Sequence, residues 1–186
     1  PDLTEFKKRN GHKQPKKFLY DAVRFSHKSY CIYHAAKNNN VDKLFWLDSD
    51  TEIFGNITQE YLNSFLPDDT FTSYLGRPDY SETGFLGFNL NYNHSDDFFN
   101  KFKEYYDTDK IYELKGQLDC HVYDAARIFV EDKFNTKNLN LSPEGVGKHH
   151  FNHVFDDHMI HYKGERKQKR DEQLARAIKR KNRKNA

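Results

Sequence analysis

The chain reads as a single α/β layered domain, and three observations predict it. Short apolar runs at 43–47, 70–75 and 84–90 alternate with longer stretches whose apolar residues recur at three- and four-residue steps, the pattern of strands interleaved with helices. At 186 residues the chain can bury a real core. With 16% aromatic and 31% charged residues, it matches a globular protein with a wet surface and excludes a disordered chain.

The elements follow in order. Residues 1–20 are polar and basic, carry Gly11 and Pro15, and are expected to form a loop or frayed segment. From Asp21 to Asn38, the residues Ala22, Phe25, Ser29, Ile32, Tyr33 and Ala36 line one helical face, with Asp21 as N-cap and Asn38-Asn39-Asn40 as the stop. Lys43 to Leu47 is a short buried strand. A helix over 57–65 is stopped by Pro67-Asp68-Asp69, and 70–75 alternates as a strand before the turn at Gly76-Arg77-Pro78. Residues 84–90 form an apolar strand whose two glycines suggest close approach by a ligand or backbone. Ser95 is the expected N-cap of a helix over 96–106, favoured by Asp96 and Asp97 in its first turn. A helix over 117–131 turns Leu118, Val122, Ala125, Ala126 and Phe129 inward. Residues 168–186 are expected to be a basic helical or disordered tail, with Leu174, Ala177 and Ile178 as a thin apolar stripe.

Formal net charge is only +2, but residues 163–184 hold eleven Lys or Arg against Glu165, Asp171 and Glu172. The rest of the chain is therefore close to neutral or acidic, and the tail is basic. Cys31 and Cys120 fall in helical patterns and make no disulfide framework. No apolar run is long enough to span a membrane, so a reducing, cytoplasmic setting is expected.

The chemistry concentrates in Leu47-Asp48-Ser49-Asp50-Thr51, directly behind Leu44-Phe45-Trp46. It places two carboxylates at the end of a buried strand, where open α/β sheets collect ligands. Side chains at i and i+2 on an extended segment point the same way, so both acids are expected to face one cation. Hard divalent ions held by carboxylates suit phosphate chemistry.

Three segments in order resemble nucleotide-sugar glycosyltransferases of the GT-A fold, closest to the retaining family 8 enzymes. Asp48-Ser49-Asp50 resembles their metal-binding D-x-D. Glu82-Thr83-Gly84-Phe85-Leu86-Gly87-Phe88-Asn89-Leu90 resembles their N-x-G-x-x-x-x-N-L. His161-Tyr162-Lys163-Gly164-Glu165-Arg166-Lys167 resembles their H-x-x-G-x-x-K. The resemblance covers residues 21–167. It implies an open mixed sheet flanked by helices and transfer of a sugar from a nucleotide-diphosphate donor, a UDP-sugar, with Mn²⁺ or Mg²⁺. It implies Asp48, Asp50 and His161 as metal ligands, with Asp48 also near the ribose. Lys167, with Arg166 and the Gly164 loop, would cover the diphosphate. Arg24 is expected near the donor sugar and phosphate, Asp119 on the donor hydroxyls, and Glu82 at the acceptor or transferred sugar. Asp119 and Glu82 are also the candidate catalytic carboxylates.

The pattern departs from the family in places. Gln168-Lys169 stands where Pro-Trp usually follows the lysine, and the D-Q-D motif survives only as Gln117 and Asp119. The family also carries a β-α-β base-binding unit ahead of the D-x-D. Only 47 residues precede Asp48, so part of that unit is expected to be missing, and strand edges left unpaired would favour self-association.

Other readings carry less. The cluster His149, His150, His153, His158 and His161 has an i, i+4 pair but no H-E-x-x-H, and surface histidines account for it. A D-x-D phosphohydrolase would need Thr or Val where Glu52 stands. The tail offers charge for nucleic acid or an anionic surface, but no interleaved aromatics for base stacking.

Overall fold

The structure, a computed structural model, describes residues 2–13, 15, 17–144 and 149–184, except for the side chains of 165–167 and 184. Helix α1 (Leu3–Asn10) leads into a 3-10 turn (Phe18–Tyr20) and α2 (Ala22–Asn38). There follow β1 (Lys43–Leu47), β2 (Thr51–Ile53), α3 (Gln59–Phe65), β3 (Thr72–Leu75), β4 (Glu82–Asn89), α4 (Ser95–Asp107) and α5 (Asp119–Phe134). The chain continues through β5 (Asn138–Asn140), α6 (Phe151–Val154), β6 (Met159–His161), a 3-10 stretch (Gly164–Lys169) and α7 (Arg170–Lys184).

The main sheet has the order β1-β4-β3-β5. Strand β4 runs antiparallel to both β1 and β3, while β5 runs parallel to β3, so the sheet is mixed. Every residue of β4 is buried, as befits a central strand covered on both faces. Alternation sorts the side chains. Leu44, Trp46, Leu86 and Phe88 face an aromatic core built with Tyr30 of α2, Phe98, Phe99, Phe102 and Tyr106 of α4, and Tyr123 of α5. Phe45, Leu47 and Phe85 face the other way, onto Phe65 of α3 and Phe151 and Phe155 around α6. A mixed sheet between helices is the α/β architecture that the sequence pattern led to.

Local chemistry explains most boundaries. Asp21 caps α2 by accepting from Arg24 N at 3.1 Å, and Thr58 caps α3 by accepting from Tyr61 N at 3.1 Å. Two expectations are corrected. The first half of the N-terminal segment is not a loop: Asp2 caps α1, and fully buried Phe6 meets Tyr106 edge-on with ring centroids 5.3 Å apart. Arg9 adds hydrogen bonds to the Tyr106 and Asp107 carbonyls, satisfying the end of α4. Nor is Ser95 a cap. His94, with φ of 69°, is the residue before the helix, and Ser95 Oγ donates backward to Leu90 O at 2.9 Å.

The basic tail is helical. Ala177 of α7 is buried with Ile160 and Tyr162, and Leu174 packs beside it, while Ile178 stays exposed. Among the described residues no strand precedes β1, and no helix is long and apolar enough to cross a membrane.

Candidate metal centre

Asp48 and Asp50 converge by a turn rather than by strand alternation, which corrects the simple i, i+2 expectation. Asp48 N donates to Gly84 O at 3.0 Å, extending the β1–β4 pairing by one residue past Leu47. The chain then turns, closed by Thr51 N donating to Asp48 O at 3.0 Å. It leaves as β2, which pairs antiparallel with β6 so that Thr51 stands opposite His161. Tyr162 N donates to Asp50 O at 3.0 Å and closes that small sheet. The D-x-D therefore joins two sheets: Asp48 is held by the large one, and Asp50 and His161 by the small one.

The three groups form a cluster. Their ligand atoms lie within 4.8 Å of one another. His161 Nε2 is 2.8 Å from Asp50 Oδ1 and 3.8 Å from Asp48 Oδ2. His161 is fixed by Asn152, which accepts from its backbone N at 2.8 Å and donates to its carbonyl at 3.2 Å. Gly84 is needed opposite it, because a Cβ there would stand 2.6 Å from the imidazole ring. Two carboxylates and one imidazole could hold a divalent metal ion, and this oxygen-rich donor set would suit the Mn²⁺ that the resemblance implies.

Around them lies a layer of buried charge. Lys28 Nζ on α2 reaches Asp48 Oδ1 at 2.7 Å, Asp119 Oδ2 at 2.8 Å and Thr83 O at 2.5 Å. Burial opposes its charge, but Asp119 and Asp48 overcome this and hold its pKa above the ordinary lysine value. Trp46 Nε1 donates to the same Asp48 oxygen at 2.8 Å, so Oδ2 is the oxygen turned toward His161. Asp119 is the first residue of α5 and accepts from Thr83 Oγ1 at 2.6 Å. Glu82 starts β4 with its side chain 1% exposed, meeting Lys163 Nζ at 2.5 Å, His161 Nδ1 at 3.6 Å and the Arg77 guanidinium. Burial alone would raise the Glu82 pKa; His161, Lys163 and Arg77 outweigh it and keep the carboxyl far below its usual range.

Of the residues singled out from sequence, the fold thus gathers Asp48, Asp50, His161, Asp119 and Glu82. Gly164 has φ of 58°, the left-handed backbone that glycine adopts freely, just after β6. The side chains of Arg166 and Lys167 lie outside the described residues. Arg24 is exposed, with its guanidinium over the rings of Phe18 and Phe25. The cation at the carboxylates is instead Lys28, one helical turn further on. Its signal was available: Lys28 lies three residues after Phe25 and four before Ile32, on the inward stripe of α2. Of the other histidines, His150 is buried, with its pKa lowered mainly by burial, and His158 lies over Tyr61 at 4.0 Å between centroids.

A cavity of about 1230 Å³ lies at the other end of β1, between Lys43, Asn63, Asp68, Asn91 and His94. A smaller one of about 240 Å³ adjoins the cluster, lined by Ser49, Asp50, Glu52, Tyr162 and Arg170. No family of known proteins, no curated protein and no solved structure matches the chain.

Proposed function

We propose that this chain is a metal-dependent glycosyltransferase that moves a sugar from a nucleotide-diphosphate donor, a UDP-sugar, to a hydroxyl acceptor. The observation that carries the reading is the meeting of Asp48, Asp50 and His161 from two sheets, at the rim where Asp119 and Glu82 also converge. These three would hold Mn²⁺ or Mg²⁺, which when bound supplies Lewis-acid stabilisation of the charge developing on the leaving diphosphate. In the transfer, the acceptor oxygen bonds to the anomeric carbon as that carbon's bond to the diphosphate oxygen breaks. The bonding pair leaves with the nucleoside diphosphate, and the acceptor's hydroxyl proton passes to an oxygen of that departing diphosphate.

The chain's own groups divide the remaining work. Lys28 locks one oxygen of Asp48 and one of Asp119, fixing both carboxylates before any ligand arrives, which lowers the reorganisation needed on binding. Asp119 presents a carboxylate for donor hydroxyls. Glu82, kept ionised by its cations, is a weak base, and its position under His161 Nδ1 suits orienting that ring. Lys167, beyond Gly164, would bring positive charge to the diphosphate, as the resemblance implies.

Titration calorimetry of UDP, with and without Mn²⁺, tests the reading. Wild-type protein should bind UDP only with the metal, and Asp50→Ala should lose at least about 100-fold in affinity with its circular dichroism unchanged. Equal UDP binding by Asp50→Ala and wild type would end the metal assignment.

A further inference from the structure

We propose that α7 is a docking surface for an anionic membrane, on which it lies peripherally and reversibly with its cations among the lipid phosphates. The charges of α7 are sorted along its length. Asp171 and Glu172 stand in the first turn, where they suit the positive end of the helix dipole, and no acid follows them as far as Lys184. Arg170 is paired with Glu52, and Arg176 with Glu172. Beyond them Lys179, Arg180 and Arg183 are exposed and, among the described residues, have no ion-pair partner. By contrast, Lys8 has Glu5 beside it and Lys137 has Asp69.

The fold presents these charges outward. Ala177, 1% exposed, packs with Ile160 and Tyr162, and Leu174 lies beside it. Arg170 Nε donates to Glu52 Oε2 at 2.8 Å and ties the start of the helix to β2. Ala175, Ile178, Lys179, Asn182 and Arg183 follow one another at helical spacing and line a single surface depression, on the side turned away from Ala177. The helix is therefore fastened by one face and offers the other.

The composition of that face selects a lipid surface. Clustered Lys and Arg on an amphipathic helix are drawn to anionic headgroups, by about fivefold in partitioning for each cation near the surface. Ile178, 40% exposed beside Lys179, offers an apolar side chain to the boundary between headgroups and acyl chains. A nucleic acid would meet the same charges, but α7 carries no aromatic residue on which its bases could stack. No described helix is long and apolar enough to cross a membrane, so the contact is with the surface. With Ile178 as the exposed large apolar side chain of α7, charge supplies most of the attraction, which makes binding reversible and sensitive to salt. Docking of this kind needs nothing from the metal cluster.

The test is cosedimentation of the whole chain with vesicles of phosphatidylcholine, alone or mixed with phosphatidylglycerol, with short duplex DNA as competitor. Wild type should sediment with the mixed vesicles and not with the neutral ones, and should be released at about 1 M salt, where the screening length is about 3 Å. The charge-reversed variant K179E/R180E/R183E should lose at least about 100-fold in partitioning, whereas the charge-preserving K179R/R180K/R183K should bind as wild type does. Circular dichroism checks that both are folded. Ile178→Ser, at an exposed position, should lose about fivefold as its apolar contact goes. Failure to sediment with the mixed vesicles, equal retention on neutral ones, or indifference to charge reversal would overturn the docking. Displacement from the vesicles by duplex DNA, with Ile178→Ser binding undiminished, would overturn it as well and assign the face to nucleic acid.

Discussion

At the rim where β1 ends, Lys28 is held between Asp48 and Asp119 with its side chain 14% exposed. At the rim where β1 begins, Lys43 pairs with Asp68, whose side chain is 94% exposed. The second rim has the larger cavity, about 1230 Å³, yet Asp68 and Asp69 stand open to water there. The first rim has smaller spaces but draws charge from five separate elements or their flanks into contact. Cavity size and convergent buried charge therefore mark opposite ends of the sheet. Convergent buried charge is costly to assemble, and a fold that maintains it points to a use.

Three substitutions and one titration would break or sharpen that contrast. The largest effect is expected from Lys28→Met, which leaves two carboxylates facing each other without their cation. Urea unfolding should show a loss of about 3–5 kcal/mol, because the penalty falls on buried charges left unpaired. If stability were unchanged, Lys28 would be an ordinary surface lysine and the contrast between rims would vanish. Gly84→Ala comes next, since its Cβ would press on the His161 ring. Overpacking of this kind costs about 1–3 kcal/mol, and Mn²⁺ affinity should fall with it as the imidazole is displaced. Mn²⁺ binding at wild-type strength in that variant would show that His161 is not a ligand.

Asp68→Asn at the opposite rim should change stability by less than about 0.5 kcal/mol and leave metal-dependent UDP binding untouched, as exposed pairs contribute little. A large loss there would put function at the big cavity. The smallest signal is chemical. Burial, with Asp119 adding to it, pushes the Cys120 thiol up to about 12, whereas Cys31 is exposed. At pH 8 a thiol reagent should therefore titrate one cysteine rapidly in the folded chain and two after denaturation. Fast reaction of both in the folded chain would mean that the start of α5, beside Asp119, opens freely.

Much of this arrangement was legible in the residues. The D-x-D behind an apolar run and the alternation of strand and helix follow from local pattern, whereas the His161 segment stood out only through its resemblance to a family motif. The N-terminal helix was hidden because Leu3 and Phe6 are its only apolar residues, too few to show a period; burial of Phe6 against α4 is what makes it part of the domain. Lys28 lay on the inward stripe of α2, but its role was not legible there. A lysine on an amphipathic helix reads as solvent-facing, and only the approach of Asp48 and Asp119 from elsewhere in the chain turns it inward.

What the sequence by itself determined is the set of chemical groups and the α/β order, since caps, turns and hydrophobic periods act over a few residues. Tertiary structure decided which groups meet. Asp50 and His161 are 111 residues apart and come together because β2 pairs with β6, and Lys28 meets Asp119 because α2 and α5 pack on the same face of the sheet. Those meetings depend on sheet order and register, which are set by the burial of two faces at once and not by any local run of residues.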